Sequence, residues 1–295
     1  MRSKLGHTPM DFAKGQGIMH TQLVSIPTDT VPLDGLLYEP EGGSGDGRAA
    51  IYFHGNTMNF YTGAARFLAP GLVAMGYRFL AFNRRGHDVL TTRASRAPEG
   101  GAFQTTAEAL ADNRFAAQWL ATHGCAAPVI IGHSNGGMLG VQHVVDHPQT
   151  PALILLSAGR GGPRSTSGGP EKLLAQDRHA EFEARARRLV ATGRGRELML
   201  VPGWWYAISA ESFIDRDATV PDTLALAARI GCPVLAVRGS SEDRERYPAE
   251  EFQARCGGLC TVRIIADCDH FYTGREAEIA SAVTTWLKQA VPLIR

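Results

Sequence analysis

The chain has 295 residues, a formal net charge of +1, 44% hydrophobic residues and 20% charged residues. This length is enough for a large α/β domain with a full core. The near-neutral charge gives no support for nucleic acid or an anionic membrane as the main partner, and no apolar run reaches the length of a membrane span. Residues 1–20 lack the continuous apolar segment of a signal peptide, so we expect a loose N-terminal arm there and a cytoplasmic protein.

The five cysteines are an odd number and are scattered at positions 125, 232, 256, 260 and 268. Without a secretory signal, reduced thiols are expected. Cys256 and Cys260 are separated by three residues, but a zinc site would need two more well-spaced ligands, and none is nearby. We therefore predict no metal site.

Short apolar strands and amphipathic helices alternate along most of the chain. Two strand-like segments, 21–27 and 33–39, flank a turn and predict an antiparallel pair at a sheet edge. Buried strands and helices then follow one another in a regular order. The predicted strands are 49–54, 77–82, 128–131, 152–157, 233–238 and 261–266, and the predicted helices are 60–75, 105–123, 138–147, 248–255 and 275–290. This alternation predicts a mostly parallel sheet with helices on both faces.

The alternation stops over residues 160–230, which begin with Gly-rich and Ser-rich loops and continue into a charged helix. We expect an inserted lid here, with the core formed by residues 21–159 and 231–295. An aromatic run within it, Trp204, Trp205 and Tyr206, could line an apolar substrate pocket. The same three side chains could equally form the core of the lid.

A Gly-x-Ser-x-Gly segment lies between the apolar run 128–131 and the helical segment 138–147. Gly132 and Gly136 flank Ser134 at the point where a strand turns sharply into a helix. This context is typical of a nucleophile elbow, in which the serine has a strained backbone and only glycine permits the close approach of neighbouring chain. Ser134 is therefore the predicted nucleophile.

A serine hydroxyl needs a base to take its proton and a third group to fix the tautomer of that base. His270 follows the last predicted strand and precedes the last helix, which suits the base. The strand before it is followed by two adjacent acids. We predict Asp243 as the third group, because a short carboxylate followed by a polar loop fits the turn, with Glu242 as the alternative. Either acid could instead pair with a surface arginine.

A tetrahedral oxyanion needs preorganised hydrogen-bond donors. The backbone N–H of Asn135, directly after the nucleophile, is one predicted donor. The second should come from the loop after the strand that ends at His54, where Asn56 is best placed. His54 itself is predicted to be a structural hydrogen-bonding residue beneath that loop.

Four stretches together resemble the α/β-hydrolase superfamily: residues 54–56, 83–87, 132–136 and 269–270. The chain order serine, acid, histidine is also that of the superfamily. The resemblance covers about residues 20 to 290. A serine at the elbow is more similar to esterases, lipases, thioesterases and C–C bond hydrolases than to dehalogenases and epoxide hydrolases, whose nucleophile is aspartate. Members often have aspartate where Asn83 stands, at a structural position.

The residues and the resemblance together imply an α/β-hydrolase with a small lid that cleaves a carboxylic ester of a small molecule through an acyl-enzyme intermediate. No cofactor is expected. A C–C bond hydrolase, thioesterase or amidase would use the same triad. An alternative from another class is a non-catalytic binding protein in which the serine is idle. The sequence does not indicate the oligomeric state.

Overall fold

The computed structural model describes residues 19–42, 47–92, 98–163, 174–203 and 205–291. The predicted N-terminal arm therefore lies outside the described residues, except for Met19 and His20, which begin the first strand.

The described strands and helices follow the predicted alternation, with boundaries that differ by a few residues. The strands are β1 (Met19–Ile26), β2 (Leu33–Pro40), β3 (Ala49–Phe53), β4 (Arg78–Phe82), β5 (Thr91–Thr92), β6 (Pro98–Glu99), β7 (Val129–His133), β8 (Leu153–Leu156), β9 (Leu198–Leu200), β10 (Ala207–Ser209), β11 (Val234–Gly239) and β12 (Cys260–Ile265). The helices are α1 (Ala64–Ala74), α2 (Thr106–Thr122), α3 (Asn135–Asp146), α4 (His179–Ala191), α5 (Ala210–Thr219), α6 (Thr223–Leu226), α7 (Ala249–Arg255) and α8 (Glu276–Ala290), with 3-10 turns at Gln176–Arg178 and Ala227–Arg229.

Eight strands form the central sheet in the order β1-β2-β4-β3-β7-β8-β11-β12. β1 pairs antiparallel with β2, and β2 pairs antiparallel with β4, whereas every other pair is parallel. The antiparallel pair predicted at one edge is therefore confirmed, as is the mostly parallel sheet.

The sheet is covered on both faces, which explains why its central strands are apolar along their whole length. All five residues of β3 and of β7 are buried. One apolar cluster joins α1 and α8 to the sheet, and a second joins α2, α3 and α7 to its other face. The local sequence also favours the start of α2, which has a capping box in which Thr105 and Glu108 satisfy each other's backbone N–H groups.

The described residues of the predicted lid, between β8 and β11, have a small apolar cluster of their own. It includes Phe182, Met199, Trp205 and Phe213. The segment is joined to the loop before α2, where the backbone N–H of Thr106 donates to the Asp215 carboxylate at 2.6 Å. Residues 224–230 pack differently, because their apolar side chains join the second core cluster.

A helix that crosses a bilayer needs about 20 consecutive, predominantly apolar residues. Within the described part of the chain, none of the helices is both long enough and apolar enough to cross a membrane.

Candidate active site

Ser134 occupies the sharp turn between β7 and α3. Its backbone has φ 55° and ψ −120°, a conformation that side chains other than glycine rarely adopt. Its N–H donates to the carbonyl oxygen of Leu156 at 2.9 Å, which ties the turn to the neighbouring strand. The strained turn presents the half-buried hydroxyl at the carboxyl end of the sheet.

The two glycines of the elbow are required by steric contact. A Cβ atom on Gly136 would lie 1.9 Å from the carbonyl oxygen of Phe53, and a Cβ atom on Gly132 would lie 2.4 Å from the carbonyl oxygen of Gly136. The backbone of α3 thus passes directly against β3, and no side chain fits between them. The Gly-x-Ser-x-Gly pattern therefore has the strand-turn-helix setting that the sequence predicted.

The residue after the serine, Asn135, is the first residue of α3 and is buried. The first N–H groups of a helix have no intrahelical acceptor, so they can donate to a negative charge formed in front of the helix. This geometry fits the predicted role of the Asn135 amide as an oxyanion donor.

His270 lies beside the elbow because it contacts His133, the residue directly before the serine. His133 donates from Nε2 to the backbone carbonyl oxygen of His270 at 2.9 Å, and the centroids of the two rings are 4.8 Å apart. Burial and the neighbouring His270 together lower the pKa of His133 to about 4, so the ring of His133 is neutral at pH 7. Among the described residues, none is hydrogen-bonded to the Ser134 hydroxyl; such contacts often form only when substrate binds.

The acid that contacts His270 is Glu242, and the prediction of Asp243 as its partner is wrong. Nδ1 of His270 donates to Oε1 of Glu242 at 2.6 Å. The turn over residues 239–242 directs the Glu242 side chain inwards, where it is 2% exposed. Asp243 is exposed and accepts a hydrogen bond from the backbone N–H of Arg246 at 2.7 Å. The alternative that the sequence left open is therefore the one in contact with the imidazole.

Two hydroxyl-bearing residues that sequence reasoning missed complete this arrangement. The second oxygen of Glu242 accepts hydrogen bonds from Ser157 Oγ at 2.6 Å and from the backbone N–H of Gly239 at 2.7 Å. Ser157 is in turn 2.7 Å from the Tyr272 hydroxyl. The position of Ser157 in the sequence could have indicated this role. Ser157 directly follows β8, which lies between β7, the strand before the serine, and β11, the strand before the acid.

The loop after β3 approaches the serine closely because Gly55 has no side chain. A Cβ atom there would lie 3.3 Å from Cβ of Ser134. Asn56, the next residue, is therefore held beside the elbow. His54 accepts a hydrogen bond at Nε2 from the backbone N–H of Arg84 at 3.1 Å, which agrees with its predicted structural role. Burial lowers the pKa of His54 well below its ordinary value.

Two cations surround this loop: Arg84, which is buried, and Arg216, which is half-buried. Nη2 of Arg84 donates to the carbonyl oxygen of His54 at 2.7 Å. Nη1 of Arg216, on α5, donates to Oδ1 of Asn56 at 3.2 Å. Burial lowers the pKa of Arg84 to about 9 and that of Arg216 to about 10, so both remain protonated at pH 7. Sequence reasoning missed Arg216, which lies within the predicted lid and in none of the motifs that the sequence indicated.

The aromatic run has members in different environments. Trp204 lies outside the described residues. Trp205 is buried, and its ring lies 4.1 Å below the guanidinium of Arg216. Tyr206 is 66% exposed. Trp205 is therefore both part of the small apolar cluster and a neighbour of the loop that carries Asn56.

A separate group of potential metal ligands lies between α4 and α5. His179, Glu183 and Asp217 have ligand atoms within 4.8 Å of one another. Nε2 of His179 is 2.7 Å from the Asp217 carboxylate, and Arg187 forms an ion pair with Glu183 at 2.7 Å. The carboxylates therefore already have partners within the protein.

Comparisons with known proteins agree with this architecture. The model of the alpha/beta hydrolase family matches residues 50–282. A comparison with curated proteins finds no match. The structure is similar to Est1E from Butyrivibrio proteoclasticus with ferulic acid bound, with a TM-score of 0.66 and 17% identity over 92% of this chain and 100% of that chain.

Two further solved structures have the same fold. An esterase from Pyrococcus furiosus has a TM-score of 0.61 and 19% identity over 92% of this chain and 91% of its own. A thermostable carboxyl esterase from Bacillus coagulans has a TM-score of 0.66 and 12% identity over 92% of this chain and 98% of its own. At these identities the likeness establishes a shared architecture.

Proposed function

The chain belongs to the alpha/beta hydrolase family, and from that premise we propose that it hydrolyses a carboxylic ester through an acyl-enzyme intermediate on Ser134. The observation that carries the proposal is the hydrogen bond between Glu242 and His270, on a loop tied by His133 to the strained serine turn. The esterases among the similar structures add support at the level of the fold.

In the first half of the reaction, His270 takes the proton of the Ser134 hydroxyl at Nε2 while Oγ attacks the ester carbonyl carbon. Glu242 holds Nδ1–H, so Nε2 is the nitrogen free to act as a base. The oxygen of the tetrahedral intermediate accepts hydrogen bonds from the backbone N–H groups of Asn56 and Asn135. The C–O bond then breaks, and His270 gives its proton to the departing alkoxide.

In the second half, water replaces the alcohol. His270 takes one proton from the water as its oxygen attacks the acyl carbon, and the same donors stabilise the second tetrahedral intermediate. Collapse of this intermediate breaks the bond to Oγ and returns the proton to Ser134. The acid product leaves, and the hydroxyl is restored.

Replacing the nucleophile tests the proposal directly. We expect Ser134→Ala to reduce kcat for short p-nitrophenyl esters by at least about a thousandfold, because the acyl-enzyme can no longer form. Unfolding midpoints of the variant and the wild type serve as the control for folding. Undiminished turnover would rule out Ser134 as the nucleophile.

Labelling distinguishes a hydrolase from a binding protein with an idle serine. A fluorophosphonate should attach to Ser134 in the folded wild type and not in Ser134→Ala, because labelling needs an activated hydroxyl. A folded wild type that does not react would favour the idle serine. Thioester, amide and C–C substrates assayed beside the esters identify which bond the triad cleaves.

A further inference from the structure

Arg216 reaches from α5 to the loop that carries the proposed oxyanion donor. Besides its contact with Asn56, its Nη2 atom donates to the carbonyl oxygen of Gly101 at 3.4 Å. The ring of Trp205 lies beneath the guanidinium, with Cζ 4.1 Å from the ring centroid. The charge is therefore held beside Asn56, the residue after Gly55, and a Cβ atom on Gly55 would lie 3.3 Å from Cβ of Ser134.

No carboxylate of the described residues forms an ion pair with the guanidinium of Arg216. It has five N–H donors, of which the contacts with Asn56 and Gly101 use two. Its Nε atom is buried and has no hydrogen-bond partner in the described part of the chain. The adjacent Asp215 is turned towards the start of α2, where its carboxylate accepts the Thr106 N–H.

A second cation increases this local excess of positive charge. Arg84 is 1% exposed, and its Nε and Nη1 atoms are also buried without partners among the described residues. The charge of Asp112 favours the protonated form of Arg84, but Asp112 forms its ion pair with Arg85, at 2.8 Å. A buried charge without a counterion is costly, and such a charge is a feature of sites that receive one from a ligand.

Other arginines of the segment between β8 and β11 differ from Arg216 in their exposure and in their ion pairs. Arg178 and Arg187 are exposed, and each forms an ion pair with a glutamate one helical turn away on the protein surface. Their charges are matched within the protein. Arg216 is more buried than either, and its guanidinium contacts an amide oxygen, a backbone carbonyl and an aromatic ring.

We propose that Arg216 binds an ionised carboxylate carried by the substrate in addition to the ester, so that the substrate class is a monoester of a dicarboxylic acid or the ester of a hydroxy acid. This inference rests on the proposed ester hydrolysis. The free Nε–H and a neighbouring Nη–H form a planar pair of donors that matches the two oxygens of a carboxylate. Trp205 and Asn56 hold that pair in place before the substrate arrives.

Pairs of esters that differ in the presence of a carboxylate measure the preference of the enzyme for a charged substrate. In the first pair, monomethyl glutarate is compared with methyl pentanoate, and the charge is on the acyl side of the ester. In the second pair, acetoxyacetate is compared with propyl acetate, and the charge is on the alcohol side. The acid released is titrated at constant pH. We expect the wild type to have the higher kcat/KM for the charged member of at least one pair, and the pair that responds identifies the side. No preference in either pair would overturn the inference.

Substitution assigns the preference to Arg216. We expect Arg216→Gln to lower the ratio of charged to neutral kcat/KM by roughly 10- to 100-fold, as for loss of a hydrogen bond to a charged group. Arg216→Lys keeps the charge but not the planar pair of donors, so an intermediate ratio is expected. Arg187→Gln, which removes an exposed lid charge, should leave the ratio unchanged. An unchanged ratio in Arg216→Gln would assign the residue to structure alone.

Binding provides a readout that does not depend on turnover. Monomethyl glutarate and acetoxyacetate should bind to Ser134→Ala in calorimetry, and Arg216→Gln on that background should weaken binding of the responding ester by roughly 10- to 100-fold. Equal affinity in both proteins would contradict the inference. Failure of the proposed function is distinct, because it would appear as ester turnover that does not depend on Ser134.

Discussion

The carboxylate of Glu242 accepts three hydrogen bonds, from His270, Ser157 and the backbone of Gly239. A carboxylate fixed in this way can orient an imidazole without a change in its own position during the reaction. Tyr247 adds packing, since its ring centroid is 4.7 Å from that of His270. The histidine is therefore held by a carboxylate on one side and an aromatic ring on another.

Substitution of the two adjacent acids should separate their roles. We expect Glu242→Gln to reduce kcat by roughly 10³- to 10⁴-fold, because an amide can stabilise the wrong tautomer of His270 and cannot stabilise its protonated form. Asp243→Asn should change kcat by less than about threefold, since the exposed Asp243 carboxylate accepts a hydrogen bond from the backbone of Arg246 on the surface. Steady-state kinetics with a p-nitrophenyl ester measure both. A larger loss in Asp243→Asn than in Glu242→Gln would reverse the assignment.

The elbow between β7 and α3 shows how an element positions a reactive group. Contact of the α3 backbone with the end of β3 is possible because Gly136 has no side chain. The same contact brings the start of the helix, with its free N–H groups, behind Ser134. Close packing and the proposed oxyanion site thus depend on the same glycine.

Two glycines of α3 form a matched pair for a test. The Cβ atom in Gly136→Ala would lie 1.9 Å from a backbone oxygen, whereas the Cβ atom in Gly140→Ala would lie 3.3 Å from a methyl group of Ile130. We expect Gly136→Ala to lower the thermal unfolding midpoint by roughly 6–12 °C, or to prevent folding, because the backbone must shift. Gly140→Ala should stay within about 3 °C of the wild type, since alanine favours helix. Similar midpoints for the two variants would contradict this account.

Three of the histidines that are buried in the described part of the chain, His54, His133 and His143, make the stability of the whole molecule sensitive to acid. Burial lowers the pKa of His133 to about 4, that of His143 to about 3, and that of His54 well below its ordinary value. In the unfolded chain each ring binds its proton near pH 6.5. Between the folded and unfolded values the unfolded state binds more protons, so the stabilisation present above about pH 6.5 is lost as the pH falls.

His143 provides the test, because it lies on α3 away from the proposed catalytic groups and packs against Phe53 and His147. One titrating group of this kind changes the free energy of unfolding by about 1.4 kcal/mol per pH unit inside its window. We therefore expect the unfolding midpoint of His143→Gln to fall less steeply than that of the wild type between about pH 6.5 and 4.5. His123→Gln, at an exposed position, is the matched control. Parallel slopes for the wild type and His143→Gln would contradict the prediction.

The sequence by itself determined the architecture and the identity of the elbow. Apolar runs of strand length alternate with amphipathic segments, and this local periodicity directly indicates which segments are buried in a sheet or against it. The elbow is also local, because Gly132, Ser134 and Gly136 create the turn through their own backbone requirements. His270 could be predicted from its place after the last strand. All of these features depend on short stretches of chain and on the order of the strands.

The tertiary structure alone decided between Glu242 and Asp243 and brought Arg216 to the site. Adjacent residues in a turn point in different directions, and the hydrogen bonds of that turn select the inward side chain, so neither spacing nor side-chain length could separate the two acids. Arg216 contacts Asn56 across 160 positions of the sequence. Contacts of that kind depend on how the segment between β8 and β11 packs against the core, and a local pattern carries no information about such packing.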